Sequence, residues 1–289
     1  MIFNIAVGNN PLHLWGPMGD LVAFLRAAVE ANGHTVLVSD YNAITDGINL
    51  FIDRFFRKAE LAANLRGRGI RYGVIVTEHI DQAGVLNFGA ETLTDELVEP
   101  VRHADFVWCL VEESVPFCRT LNPETLHLKL GYVPALAMPQ PALLYKDLEF
   151  VVTGLTSVRR ERILGELRGR GFRAHCTNHA PGYVRDGLLA RSRFNISLQK
   201  IDGQRMVSVT RICHSLLHRV PIILEIDAAT APSPYMDFCL IAQSETLLDQ
   251  CAVYARDVDF IAYADDMLRR FTERMNMVSD MRPLLDRLR

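Results

Sequence analysis

The sequence predicts an α/β protein of two domains, each built on a mostly parallel sheet, with the carboxyl edges of the sheets facing a central cleft. Three observations carry this expectation. Apolar runs of strand length alternate with helical patterns along nearly the whole chain. The segment Gly131–Pro141, GYVPALAMPQP, holds three prolines in eleven residues without a helical or strand period, and reads as a linker. The length of 289 residues exceeds one average domain and gives each half enough chain for its own core. The expected division is 1–135, 136–270, and a helical tail over 271–289 that packs back across the domains.

In the first half, Ile2–Val7 reads as a buried strand, followed by a Gly/Asn/Pro-rich loop over Gly8–Gly19. A helix over Asp20–Ala31 stops at Asn32-Gly33, and strands follow at Thr35–Ser39 and Ile48–Ile52. A helix over Arg54–Leu65 leads to the strand Arg71–Thr77, and another over Asp95–His103 to Phe106–Val111, with a short strand at Leu126–Gly131. The second half restarts with the strand Leu148–Thr153 and the helix Val158–Arg168, N-capped by Thr156 or Ser157. Strands at Phe172–Cys176, Phe194–Leu198, Val220–Leu224 and Phe238–Ala242 alternate with helices over Tyr183–Arg191 and Met206–Leu217. From Glu245 to Met277 the pattern is helical, and Pro283 is expected to interrupt the tail. Both halves are Rossmann-like in this pattern.

An apolar fraction of 49% with 22% charged residues is that of a packed globule, and no apolar run approaches the length of a membrane span. The amino terminus lacks a basic region and reads as a strand rather than a signal peptide. Six scattered cysteines without a C-x-x-C pair fit buried thiols in the cytoplasm. Charge is uneven. Between Gly154 and Arg219 there are 13 Lys/Arg and 4 Asp/Glu, a balance of +9 within a chain of −3. That asymmetry points to an anionic ligand. Without an aromatic-rich stacking platform beside it, the charge does not point to nucleic acid.

Loops at the carboxyl ends of parallel strands form ligand crevices, so the polar residues there are the candidates. Gly154, Thr156, Ser157 and Arg159 lie in the loop and first helical turn after Leu148–Thr153, where backbone amides attract phosphate. The alternative is a tight turn with solvated arginines, because neither G-x-x-x-x-G-K-[ST] nor G-x-G-x-x-G is present. Gln199, Lys200, Asp202, Gln204 and Arg205 follow Phe194–Leu198, and Glu225 ends Val220–Leu224. Arg211, within the apolar helix Met206–Leu217, is expected to pair with a phosphate or, structurally, with Glu225. His214 and His218 are four apart, but without H-E-x-x-H or a third ligand in view no metal is expected. In the first half, Glu78 and His79 follow a buried strand and are candidate general bases, as are Glu112 and Glu113. Gly8, Asn9, Asn10 and His13 form a polar wall suited to a polyol acceptor. The tail Met267–Arg289, with six arginines among Met, Leu and Phe, fits membrane-surface contact as well as packing against the protein.

The run LEFVVTGLTSVRRERILGELRGRGFRAH resembles the opening of the carboxyl domain in glycosyltransferases of the GT-B fold, especially the spore-maturation-protein-like and family-1-type bacterial groups. SRFNISLQ, VTRICHSLLHRVPIILE and DFCLIAQSETLLDQCAVYARDVDFIAYADDMLRRF resemble later segments of the same domain, so the likeness covers Leu148–Phe271. It implies a cytoplasmic, metal-independent glycosyltransferase that moves a sugar from a nucleotide-sugar to a hydroxyl acceptor without a further cofactor. Arg211 stands at the family's diphosphate-binding arginine and Glu225 at its second acidic position. His214 replaces the motif glutamate that holds ribose, and Arg219 replaces the usual glycine. The retaining enzymes' E-x₇-E pair is thus broken, which leans toward an inverting mechanism. A degenerate, non-catalytic subunit and a nucleotide-sugar epimerase or hydrolase are the alternatives.

Overall fold

A computed structural model describes residues 1–7, 17–40, 42–52, 59–85, 95–139, 146–178, 180–200, 202, 204 and 206–289. The chain forms two compact units: Met1–Leu14, Phe24–Leu130 and Met277–Arg289 make one, and Trp15–Ala23 with Gly131–Asn276 the other.

The first unit holds a six-stranded sheet, all parallel, of β1 (Ile2–Val7), β2 (Thr35–Asp40), β3 (Ile48–Ile52), β4 (Tyr72–Val76), β7 (Phe106–Cys109) and β8 (Thr125–His127). Their order is β2-β1-β3-β4-β7-β8. Every residue of β3, β4 and β7 is buried, which explains why these strands read as continuous apolar runs rather than alternating ones. Asn4 and Asn49 are two of the polar residues buried in this unit. Asn4 Nδ2 donates to Asn49 Oδ1 across β1 and β3 at 2.9 Å and Asn49 donates to the Arg71 carbonyl, while Asn4 Oδ1 is buried without a partner. The helices are α1 (Pro17–Ala31), α2 (Ala59–Gly67), α3 (Asp95–His103) and α4 (Val115–Leu121). A small hairpin of β5 (Ile80–Asp81) and β6 (Gly84–Val85) is not foreseen in the sequence, nor is α4.

The second unit holds a five-stranded parallel sheet of β9 (Leu148–Val152), β10 (Ala174–Cys176), β11 (Ser192–Ser197), β12 (Ile222–Ile226) and β13 (Leu240–Gln243), in the order β10-β9-β11-β12-β13. The strand order reverses between β9 and β11, which makes their carboxyl ends the topological switch point. Helices α5 (Val158–Gly169), α6 (Gly182–Arg191), α7 (Val209–Leu217), α8 (Leu247–Asp257) and α9 (Phe260–Arg274) surround it. Phe150, Leu164, Leu167, Phe194, Ile196 and Leu247 join one core between sheet and helices. Ser157, not Thr156, caps α5, its hydroxyl accepting from the Arg160 amide. The helical run after Glu245 is broken at Val258, and Asp259 starts α9 by accepting from the Ile261 and Ala262 amides at 3.1 Å.

The tail corrects one expectation. Pro283 does not interrupt it but lies inside α10 (Met277–Asp286), whose Met277, Met281 and Leu285 are buried on both sides of the proline. That packing outweighs the backbone bond the proline forgoes. Val278 and Leu288 accept bonds from Asn32 and Arg71, so α10 packs on the first unit. Among the described residues, no helix is long and apolar enough to cross a membrane.

Candidate functional site

At the switch point of the second sheet, the chain leaves β9 through Thr153 and Gly154 into α5, and leaves β11 through Leu198 to Lys200. Gly154 has φ +127°, a conformation that L side chains rarely adopt. Space requires the glycine as well. A Cβ there would lie 2.8 Å from Arg211 Nη2 and 3.7 Å from Arg160 Nη1. Two guanidinium groups therefore converge on one backbone turn.

Neither has a carboxylate partner among the described residues. Arg160 donates to the carbonyls of Leu155 (2.5 Å) and Leu198 (2.6 Å), and its Nε is buried without a hydrogen-bond partner. Arg211 donates from Nη1 to Ser197 Oγ at 3.0 Å. Although part of Arg211 reaches solvent, enclosure of its guanidinium is the main cause that pulls its pKa down to about 9, with Arg160 adding to it. Burial likewise lowers Arg160. Two enclosed like charges without an acid between them are costly unless an anion lies beside them. A shallow recess open to solvent adjoins Arg211 and is lined by Ser197, Gln199, Gln204, Arg211, Glu225 and Thr230. Gln199 Oε1 is buried here without a partner. The arrangement can hold a phosphate or diphosphate by charge-assisted bonds.

The structural alternative for Arg211, a pair with Glu225, does not occur. Glu225 is fully buried and belongs to Arg159. Nη1 of Arg159 reaches Oε2 at 2.9 Å, and Nη2 bonds Oε1. The remaining acceptor sites of Glu225 take the Gln199 amide (2.8 Å) and Ser244 Oγ (3.0 Å). Arg159 also bonds Asp202, and these carboxylates raise its pKa, the Glu225 bond foremost. Arg159 and Glu225 thus brace the site through a pair of which Glu225 lines the recess, and the picture of solvated arginines fits neither Arg159 nor Arg160. Arg160, next to Arg159 in the first turn of α5, is the one of the two whose guanidinium reaches Gly154. Its signal was present: Arg160, Ile163, Leu164 and Leu167 are the buried face of α5, so a charge sits on an apolar stripe.

Around this core, Ser157 Oγ bonds the Lys200 carbonyl (3.3 Å), and the Lys200 amide bonds Gln204 (2.9 Å). The Thr156 amide donates to Asn178 (3.3 Å) and its hydroxyl to Glu161 (2.7 Å). Arg205 lies outside the described residues, as do Gly8, Asn9, Asn10 and His13.

His214 is not turned toward the arginine pair. Its Nε2 accepts from Arg185 at 3.0 Å and lies 3.2 Å from Asp186. Arg185 in turn holds Asp20 through two bonds of 2.7 Å. Arg219, in place of the motif glycine, has φ +52° at the end of α7. Its amide bonds the Leu216 carbonyl and that of Val220 bonds Ser215, a left-handed cap usually made by glycine.

In the first unit, Glu78 and His79 follow β4 and are buried at 5% and 6% exposure. Ser114 fixes this turn, its hydroxyl bonding the Glu78 carbonyl (3.1 Å) and accepting from the Ile80 amide (2.9 Å). Glu112 and Glu113 are exposed in a single turn of 3₁₀ helix.

No family model and no curated protein matches the sequence. Solved structures match along nearly the whole chain. The trehalose-6-phosphate synthase OtsA is similar with TM-score 0.64 and 10% identity over 99% of this chain and 98% of its own. HepE of Anabaena, in complex with UDP, gives 0.56 and 11% over 99% and 98%. An alpha-glucosyltransferase in complex with UDP-glucose and DNA containing an abasic site gives 0.61 and 10% over 95% of each chain. The narrower likeness to spore-maturation-protein-like groups rests on the sequence motifs alone. At this identity the matches speak for architecture: two parallel α/β sheets of six and five strands, the GT-B-like fold that the sequence predicts.

Proposed function

We propose that the protein transfers a glycosyl group from a nucleoside-diphosphate sugar to a hydroxyl acceptor. The observation that carries this is the enclosed Arg160–Arg211 pair at the switch point of the second sheet, neither of which bonds a carboxylate among the described residues. A leaving diphosphate would supply the missing negative charge there, and the amino end of α5 adds its dipole. The fold supports the reading, since similar solved structures hold UDP, UDP-glucose or UDP-2-fluoro glucose.

In the reaction the acceptor oxygen bonds to the anomeric carbon as the bond from that carbon to the diphosphate oxygen breaks. Arg160 and Arg211 stabilise the charge that develops on the departing diphosphate. The acceptor proton passes to Glu78 or His79, whose buried turn is fixed by Ser114. Gln199, Lys200 and Gln204 shape the nucleotide side, and Arg159 with Glu225 holds their loop in place. We assign the diphosphate to arginines and helix amides, with no divalent metal or further cofactor in the transfer. A cytoplasmic setting belongs to the same reading, on the six free thiols.

A second reading is a non-catalytic binding subunit on the same scaffold. It is favoured by one observation: His214 and Glu225, at the family's acidic positions, are both engaged within the protein. Thermal-shift and ligand-observed NMR against UDP, GDP, CMP, ADP and dTDP, each with and without Mg²⁺, tests both. Selective, metal-independent binding of one diphosphate, with turnover of its sugar conjugate, is the expected result. Binding without turnover over a range of acceptors selects the second reading, and no binding overturns both.

A further inference from the structure

The histidines of α7 acquire in the structure the third ligand that their spacing lacks in the sequence. Asp186 on α6 faces both. His214 Nε2 lies 3.2 Å and His218 Nε2 3.9 Å from its carboxylate oxygens. The three donor atoms all fall within 4.8 Å of one another. The two imidazole rings lie side by side, centroids 4.1 Å apart. We propose that Asp186, His214 and His218 bind one divalent ion of the Zn²⁺ class, clipping α6 to α7.

The chemistry fits in four respects. Two imidazoles and one carboxylate are a borderline donor set that suits Zn²⁺ rather than Mg²⁺ or Ca²⁺. Bonds of ~2.0–2.2 Å in a tetrahedral site place ligand atoms roughly 3.3 Å apart. The His214–Asp186 spacing is already there, and His218, 3.9 Å from the other carboxylate oxygen, has to move inward within a cluster that spans at most 4.8 Å. The His218 Nδ1–H donates to the His214 carbonyl at 2.9 Å, which leaves its Nε2 lone pair for a metal, the usual outer-shell arrangement of a ligating histidine. Asp186 is the partly exposed member of the cluster and gives an ion a path in. Asp20 Oδ1, 3.7 Å from His214 Nε2, stands near a fourth position.

Arg185 is the competitor. Its Nη2 donates to His214 Nε2 and its Nε to Asp186 Oδ1 at 2.9 Å, so an ion would take over both ligand atoms while Arg185 keeps its two bonds to Asp20. The ion would sit apart from the arginine pair: His218 follows Arg211 by seven residues, ~10 Å along the helix. It would therefore act as a clip rather than in sugar transfer, and diphosphate binding should be indifferent to it.

The test is titration of the chelator-treated full chain with Co²⁺, followed by competition with Zn²⁺. The expected result is one ion per chain, with the visible absorption of tetrahedral nitrogen/oxygen-ligated Co²⁺ and no thiolate charge-transfer band. Affinity should drop at least about tenfold in His218→Asn and in Asp186→Asn. UDP binding should stay at the wild-type level in both. Absence of stoichiometric binding by the wild type, a thiolate band, or equal affinity in both variants overturns the proposal. Where a variant does not fold, long-range ¹H–¹⁵N spectra of the wild type decide: Nε2 of two histidines must shift with Zn²⁺, and no shift overturns it.

Discussion

Replacing Gly154 with alanine tests the arginine pair without touching either arginine. The substitution carries two separable costs. At φ +127° an L residue sits in a region essentially reserved for glycine, a backbone cost of ~1–3 kcal/mol. The new Cβ would also stand 2.8 Å from Arg211 Nη2, so the guanidinium has to move. Gly171→Ala isolates the first cost, because Gly171 has φ +90° but nothing within 4 Å of its Cβ direction. Both variants should therefore lose stability in urea unfolding, by ~1–3 kcal/mol. Only Gly154→Ala should lose diphosphate affinity. Moving one charge-assisted donor out of place costs ~1.5–3 kcal/mol, or roughly 10–100-fold in Kd by calorimetry with UDP. Wild-type affinity in Gly154→Ala would refute the reasoning, as would an equal loss in Gly171→Ala.

Arg211→Met removes an enclosed charge that has no acid partner, so the unliganded protein should be at least as stable as wild type while diphosphate binding is lost; a lower unfolding midpoint would make Arg211 structural. Glu225→Gln does the reverse. It leaves Arg159, whose side chain is 13% exposed, with only the exposed Asp202 as a charged partner, and should cost about 3 kcal/mol in denaturant unfolding, the scale of a broken buried pair. Arg219→Gly relieves a left-handed residue at φ +52° and gives up one exposed pair with Asp265, so it should stabilise by about 1 kcal/mol; a loss on the same scale would mean that the pair outweighs the strain. Lys146 is buried against the Ser192 carbonyl, and burial pulls its pKa down to about 8 from 10.5. Below about 8 both states hold the proton and the native state bears the cost; between these values only the unfolded chain holds it, so stability rises with pH. The gain from pH 7 to 9, about 1 kcal/mol in urea unfolding, should vanish in Lys146→Met.

Strands were legible in the sequence because the buried ones leave uninterrupted apolar runs: INLFI and YGVIV are buried at every residue. The hairpin over 80–85 was not, since two-residue strands carry no period. Pro283 misled because sequence shows the lost backbone bond but not the burial of Met281 and Leu285 that offsets it. At the site, the loop after β9 and Arg211, both sequence candidates, lie together at Gly154. The partners were not legible. One step along α5 separates Arg159, which turns to Glu225, from Arg160, which turns to Gly154, and spacing alone favoured neither. Asp186 joined no motif, because the helix that carries it meets α7 only through the fold.

The return of α10 to the first unit has a consequence for how the chain is made. Met277, Met281 and Leu285 are buried in a unit whose other strands are encoded before residue 130, while the whole second sheet is translated in between. The amino-terminal unit therefore cannot close its core first, as a leading domain ordinarily does on the ribosome. The positions that Met277, Met281 and Leu285 fill can be covered by α10 only after the residues of the second sheet have been made.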